Sequence, residues 1–390
     1  MDVFCSDSGL TLLKMICFQN TYHSFKESVV VVVVHEICVK NFKGFRNIEI
    51  KGMAPITLLG GRNCVGKTAV LEALFLFFSR YSPIAFLQQL GFRSMNFQKE
   101  LSEEIWRHLF YQFDMQKVIE IDIVRDLEGR AIQKEHLELS YIKEHNTQVI
   151  LADEDIPENQ TSNILGPIPA IKLAYRNDES KHEHFAMMRG RNIGMEYKDR
   201  LPEEVQSVIF LGTRNTDDDA ERLSNIDRLN RKDIVIRTLQ IIDERVRDVS
   251  VIVENGQGVI YADIGLARKI PVRLMGDGIG RVLSFILRII ELEGGVVFID
   301  EIENGIHYSV LHDFWKKIGS IAREFRCQII ATTHSYECIK ALADYSAGME
   351  DSSDDCAYFR LEQRAEGVGG AERFSGNEMS LATRSDMEVR

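Results

Sequence analysis

The stretch "APITLLGGRNCVGKTAVLEALFLFF", residues 54–78, decides how the rest of the chain is read. Its apolar start predicts a strand. Gly61-Arg62-Asn63-Cys64-Val65-Gly66-Lys67-Thr68 then matches G-x-x-x-x-G-K-[ST], and Ala69 begins an apolar run with Leu71, Leu74, Phe75 and Phe78 at helical spacing. Strand, glycine-rich loop and helix in that order form a phosphate cradle. Backbone N–H groups of the loop face phosphate oxygens, and the helix N-terminus adds a favourable dipole. Lys67 is placed to reach the β- and γ-phosphates, and Thr68 to ligand Mg²⁺. The expected cofactors are ATP and Mg²⁺.

Composition is ample for a large core. The chain has 390 residues, of which 45% are hydrophobic, and a formal net charge of -12. That charge argues against a surface coated in basic nucleic-acid patches, though not against a local one. Seven cysteines, at 5, 17, 38, 64, 327, 338 and 356, show neither a C-x-x-C pair nor disulfide-like spacing. They read as free thiols in a reducing, cytoplasmic setting. Six consecutive valines, Val29 to Val34, are far short of the ~20 apolar residues of a spanning helix and predict a buried strand. Neither a membrane span nor a signal peptide is expected.

Outward from the loop, residues 1–28 form an extension without clear periodicity, and 29–390 are expected to be one unit. Strands are predicted at "VVVVVVHEICVKNF", "RNIEIKG", "VIEIDIV", "HLELSYI", "TQVILA", "AIKLAYR" and "SVIFLGT". Those between 118 and 176 look like an antiparallel layer. Residues 81–114 are expected to be a helical and loop-like insertion, with Ser102 opening a short helix. The charged stretch 177–200 reads as a mobile loop or lid. A helical lobe is expected at about 215–292, with Val235, Leu239, Ile242 and Val246 on one face and a hairpin turning at Asn255-Gly256. The segment 350–362 reads as an acidic loop and a short strand.

Two more motifs complete the chemistry. "GGVVFIDE", residues 294–301, is a buried strand delivering Asp300 and Glu301 to a sheet edge, where ligands of open α/β sheets bind. Asp300 is placed to hold the metal, and Glu301 to polarise an attacking water. "CQIIATTHS", 327–335, ends a neighbouring strand in His334, which can bond the γ-phosphate.

P-loop, Asp-Glu strand and histidine strand, in this order, resemble ABC-type ATPase heads. In that family a glycine-rich signature precedes the Asp-Glu strand. Here "LMGDGIGR", 274–281, stands in its place and is similar to the form in the SMC/RecF/OLD branch. "VKNFKGFRNIEI", 39–50, and "IDEIENGIHYSVL", 299–311, also resemble that branch. The resemblance implies an α/β P-loop NTPase of ABC-head type, with a mixed sheet, an antiparallel β layer and a helical lobe. It implies a head-to-tail dimer in which Gly276, Asp277, Gly278 and Gly280 approach a nucleotide held by the other copy. It places Phe45 and Arg46 near the bound nucleotide, and Asn304 and Gly305 on a loop crossing to the other subunit. For the metal-contacting glutamine of the family, Gln88, Gln89, Gln98 and Gln112 are all candidates, with Gln112 favoured. Asp277 either sits beside the anion or caps the helix. Arg281 either neutralises phosphate or makes a surface salt bridge.

Compared with its resemblances, the chain shows neither a long coiled-coil arm nor room for a C-terminal Toprim nuclease: 55 residues follow Ser335. The expected function is therefore an ATPase that regulates a separate effector, a nuclease or toxin, plausibly in anti-phage defence. A RecF-like ATPase acting directly on DNA is the first alternative. Its candidate basic patches are "RGRNIGMEYKDR" and the set Arg222, Arg228, Arg231 and Lys232. A non-catalytic nucleotide-sensing module is the second, and Glu301 argues against it.

Overall fold

The computed structural model describes residues 32–82, 102–127, 132–147, 166–189, 192–199, 208–212, 218–349 and 355–384. Expectations for 1–28, for Gln88, Gln89 and Gln98, and for most of "TQVILA" lie outside them.

Two sheets enclose the P-loop helix. The first is seven-stranded and antiparallel throughout, in the order β2-β1-β4-β5-β6-β7-β8. Its strands are β1 (Val32–Phe42), β2 (Phe45–Lys51), β4 (Ile119–Leu127), β5 (Gln133–Thr147), β6 (Gly166–Arg176), β7 (Lys181–Arg189) and β8 (Asn192–Tyr197). The second is six-stranded and mixed, in the order β16-β15-β3-β14-β13-β9. It comprises β3 (Ile56–Gly60), β9 (Val208–Leu211), β13 (Val296–Ile299), β14 (Gln328–Thr332), β15 (Cys356–Gln363) and β16 (Gly369–Ser375). All its pairings are parallel except β15 with β16.

Helix α1 (Lys67–Phe78) lies between the sheets. Every residue from Ala69 to Phe78 is buried, so the spacing of Leu71, Leu74, Phe75 and Phe78 marks only one of its covered sides. A helix apolar all round needs cover all round, and two sheets supply it. Strand alternation divides the core accordingly. Val296 and Phe298 of β13 face α1, whereas Val297 and Ile299 face the opposite layer. That layer holds α5 (Asp277–Leu292), α6 (Leu311–Glu324) and α7 (Tyr336–Ala347).

Buried polar groups tie the layers together. The Gln328 side chain accepts from the Val34 backbone N–H at 2.8 Å and donates to the carbonyls of Val34 (2.9 Å) and Ala54 (3.0 Å). It thus satisfies backbone beside the β1 irregularity at Val34–Glu36. Lys43, at the β1–β2 turn, pairs with the fully buried Glu72 of α1 at 2.6 Å.

Within the expected lid at 177–200, Lys181–Arg189 and Asn192–Tyr197 are strands. Strands β7 and β8 bury His184, Phe185, Ala186, Met187 and Met195. His184 bonds the Arg80 carbonyl at 2.8 Å, and the Tyr197 hydroxyl donates to the Tyr81 carbonyl at 2.7 Å. The segment walls off the end of α1. Strand β7 pairs on both sides and β8 forms the edge of the sheet. The C-terminal part is also more than a loop and one strand. Strand β15 pairs in parallel with the P-loop strand β3, β16 follows, and α8 (Gly376–Arg384) closes the described chain.

The helical lobe contains α3 (Asp219–Arg228) and α4 (Lys232–Leu239), beside a small sheet of β10 (Asp248–Glu254), β11 (Gln257–Asp263) and β12 (Ile270–Pro271). A short helix α2 (Ser102–Arg107) precedes β4. Asn255 (φ 50°) and Gly256 (φ 81°) make the expected tight turn. Three of the four basic residues have acidic partners: Arg222 pairs with Glu291, Arg231 with Glu293, and Lys232 with Asp227 and Asp248, while Arg228 bonds the neutral Asn225.

Helix α5 is not apolar all round. Arg281, Ser284 and Arg288 are buried, and with Glu291 they follow one another at helical spacing. Asp219 of α3 accepts from both the Ser284 hydroxyl and the Arg288 guanidinium. Removing one partner of a buried ion pair leaves the other uncompensated. Asp219→Ala is therefore expected to cost about 3 kcal/mol of unfolding free energy, read from urea denaturation.

Candidate functional site

The P-loop occupies the C-terminal end of β3. Gly66 takes φ 97° at the N-cap of α1, and the Phe45 ring fills the volume a side chain there would need. Glycine is thus required twice over, by conformation and by the close approach of β2. Arg62, Asn63 and Cys64 are exposed along the loop, Gly61 and Val65 are half-buried, and Ala69 is in the core. The Lys67 ammonium donates to the carbonyls of Gly61 (2.7 Å) and Arg62 (2.9 Å) and to His334 Nδ1 (3.2 Å). Burial pushes its pKa below the ordinary lysine value, against the pull of Asp300, Glu303 and Glu301. An ammonium has no lone pair, so His334 Nδ1 must accept and its proton resides on Nε2. Nε2 lies 3.9 Å from Glu301 Oε1.

Asp300 and Glu301 follow directly on β13, beside β14. The Thr68 hydroxyl lies 3.1 and 3.3 Å from the two Asp300 carboxylate oxygens, and Thr332 at the end of β14 donates to the same carboxylate at 2.6 Å. Thr68 and Asp300 offer hard oxygen donors side by side at the mouth of the loop. This donor set fits Mg²⁺, which takes one or two protein ligands and completes its shell with water and phosphate. Among the described residues there is no group of three or more His, Cys, Asp or Glu able to hold a metal by themselves.

Glu301 has φ 49°, left-handed backbone that costs a non-glycine residue about 1–3 kcal/mol. Several bonds fix it. Its N–H donates to Thr332 Oγ1 (2.8 Å), the Ile302 N–H to the Thr332 carbonyl (3.0 Å), and the Asp300 N–H to the Leu211 carbonyl of β9 (2.9 Å). Arg281 donates to the carbonyls of Asp300 (2.7 Å) and Glu301 (2.8 Å). The result is a carboxylate projected from a sheet edge beside His334 and the P-loop lysine, an arrangement that can polarise a water against a bound phosphate.

Some expectations change. Arg281 is 5% exposed and holds backbone of its own chain, so it makes neither a surface salt bridge nor an exposed phosphate contact. Gly276 (φ 111°) is the N-cap of α5. Asp277 is the first helical residue, where its charge suits the dipole, but no side-chain cap bond forms. Gly278 has a reason within the chain: a Cβ there would overlap the Gly305 carbonyl oxygen. Asn304 is exposed on the same loop. Gln112 is exposed and donates to the Tyr111 hydroxyl at 3.4 Å, and the structure records no bond from it to Thr68 or Asp300 among the described residues. Arg46 is paired with Glu366 at 2.8 Å, next to the Phe45 that packs on Gly66.

Sequence reading passed over Thr332, Glu303 and Glu366. Glu303 Oε1 accepts from the His334 N–H at 2.8 Å and so fixes the turn that presents the histidine. The only available signal was position: Glu303 two residues beyond Glu301, and Thr332 closing an apolar strand.

Several known proteins are similar to this chain. A family model described as "AAA domain, putative AbiEii toxin, Type IV TA system" matches residues 56–339. An ATP/GTP phosphatase of Helicobacter pylori (strain ATCC 700392 / 26695) is 23% identical over 355 residues, covering 85% of this chain and 93% of the relative. An uncharacterized protein of Methanocaldococcus jannaschii is 33% identical over 57 residues, 15% of this chain and 25% of its own. Among solved structures, an Smc head bound to the C-winged helix domain of ScpA has 12% identity and a TM-score of 0.44, covering 88% of this chain and 97% of its own. The SMC head domain from Thermotoga maritima has 12% identity and a TM-score of 0.37, covering 87% and 98%.

The Gly278–Gly305 contact yields a direct test. Gly278→Ala is expected to lower stability by about 1–3 kcal/mol through overpacking, in protein free of nucleotide. An alanine protein with wild-type urea denaturation, altered only in ATP-dependent assembly, would reverse this assignment.

Proposed function

This chain belongs to the family of AAA domains described as putative AbiEii toxin of type IV toxin–antitoxin systems, and from that premise we propose that it binds and hydrolyses ATP to govern a separate effector. It is an ATPase of the AAA and ABC type. The observation that carries the reading is the convergence on one sheet edge of Lys67, Asp300, Glu301 and His334, with Asp300 bonded by Thr68 and Thr332. The relative in Helicobacter pylori named ATP/GTP phosphatase supports the same reaction.

In this reading Lys67 and the N–H groups at the start of α1 hold the β- and γ-phosphates. Binding transfers the lysine's bonds from the Gly61 and Arg62 carbonyls to phosphate oxygens. Thr68 and Asp300 would hold Mg²⁺, which would supply charge neutralisation to the bound phosphates. Glu301 accepts the proton of the attacking water, and His334 donates its Nε2 proton as a hydrogen bond to the γ-phosphate. Arg46 leaves Glu366 to meet the nucleotide beside Phe45.

The reading extends to assembly. Leu274 (74% exposed) and Tyr308 (68% exposed) flank the start of α5 and the Asn304–Gly305 loop. In this reading a second copy docks there, head-to-tail around ATP, and covers these two side chains. The proposed effector is a nuclease or toxin and the proposed setting is defence against phage; the family description itself names a putative toxin of a type IV toxin–antitoxin system. Among the described residues no helix is long and apolar enough to cross a membrane.

Two substitutions test the reading. Lys67→Ala is expected to abolish nucleotide binding by calorimetry. Glu301→Gln should retain binding while kcat falls on the order of 10²–10⁴-fold, with dimers accumulating in ATP by light scattering. Hydrolysis at the wild-type rate in Glu301→Gln would remove the glutamate from its role.

A further inference from the structure

We infer that Arg281 is a positioning residue that acts within its own chain: it holds Glu301 in the conformation needed for hydrolysis and links that residue to the helical lobe. The inference rests on the proposed role of Glu301 and goes beyond it. A guanidinium at a glycine-rich helix start invites assignment to phosphate. The geometry points elsewhere. One terminal nitrogen of Arg281 donates to two successive carbonyls, Asp300 and Glu301, at 2.7 and 2.8 Å. These are the carbonyls on either side of the left-handed residue, φ 49°. Left-handed backbone rotates successive carbonyls out of the strand's bonding pattern, so they need a donor from another element. A buried arginine is well suited, since its planar fork presents several donors in fixed directions. Releasing those carbonyls frees Glu301 to relax towards ordinary φ, which swings its carboxylate away from His334.

Helix α5 makes this an adjustable contact. Arg281, Ser284, Arg288 and Glu291 are separated by three, four and three residues, so they share one side of the helix. The last three are bound to α3, through Asp219 and Arg222. The first is bound to the Asp300–Glu301 turn. One rigid helix therefore connects the lobe to the catalytic carboxylate, and the tight contact of Gly278 on Gly305 adds a second point of registry beyond that turn. A displacement of α3 is carried to Glu301 without passing through the P-loop.

Arg281→Lys keeps the charge but ends in an ammonium on a shorter stem, without the planar guanidinium whose terminal nitrogen reaches both carbonyls, which makes it the decisive variant. It is expected to bind ATP with wild-type affinity while kcat falls on the order of 10- to 100-fold, as small misplacements of a catalytic group do. Mixing it with Glu301→Gln separates the two chains' contributions. If Arg281 serves its own Glu301, mixed dimers hold no intact site, and activity stays at the level of Arg281→Lys alone. If it serves the partner's nucleotide, one site per mixed dimer is whole and activity recovers. Recovery on mixing, or a loss in ATP affinity with kcat retained, would overturn the inference. Amide exchange gives a readout independent of turnover: the amides of 300–302 should exchange faster in Arg281→Lys, with the P-loop helix unchanged and the melting temperature recorded alongside. Unaltered exchange at 300–302 would likewise overturn it. An inactive wild-type protein would instead remove the hydrolytic reading, while the exchange experiment still decides the role of Arg281.

Discussion

Everything in this molecule that bears on phosphate chemistry converges on one turn, Asp300–Glu301, held in an unfavourable backbone conformation by its neighbours. The turn has four sets of supports. Thr332 comes from β14, Leu211 from β9, Thr68 from α1 and Arg281 from α5. Each support satisfies a polar group that the turn would otherwise bury unpaired. The strain at Glu301 is sustained because the surroundings over-determine it. The same supports explain why β13 has to lie between β9 and β14, and why the P-loop strand has to be the next one along.

Close backbone approach is the second organising constraint. At Gly66 the loop meets an aromatic ring from the antiparallel sheet, and at Gly278 the helix start meets the Gly305 carbonyl. Both contacts join elements far apart in sequence, and both lie beside the site. The nucleotide end of the molecule is thereby coupled sterically to the β1–β2 hairpin on one side and to the helical lobe on the other. Packed interfaces of this kind shift between discrete arrangements and do not deform smoothly. That property suits an ATPase whose output is conformational.

What could be read from the residues, and what could not, divides by the range of the interactions involved. The strand-loop-helix at 56–78, the strand ending in Asp300 and the strand ending before His334 are legible because each is a local pattern with its own chemistry. The segment 177–200 was not, because its density of charge resembles a solvated loop. Its role as an outer pair of strands comes from pairing with β6 and from capping Arg80 and Tyr81. The polar stripe on α5 was equally hidden. Arg281, Ser284 and Arg288 sit among leucines and isoleucines, and only the partner helix α3 shows that the face they share is an interior one.

The sequence by itself determined the fold class, the strand, glycine-rich loop and helix that carry Lys67 and Thr68, and the position of Asp300 and Glu301 at a strand end. Those features depend on residue type and near-neighbour spacing, which a linear chain carries in full. Tertiary structure alone decided the partners of Arg281, the reason for Gly278, the insertion of β15 beside the P-loop strand and the left-handed turn at Glu301. Each depends on a contact between segments tens to hundreds of residues apart, and no local pattern encodes which distant group will supply the missing donor or fill the missing volume.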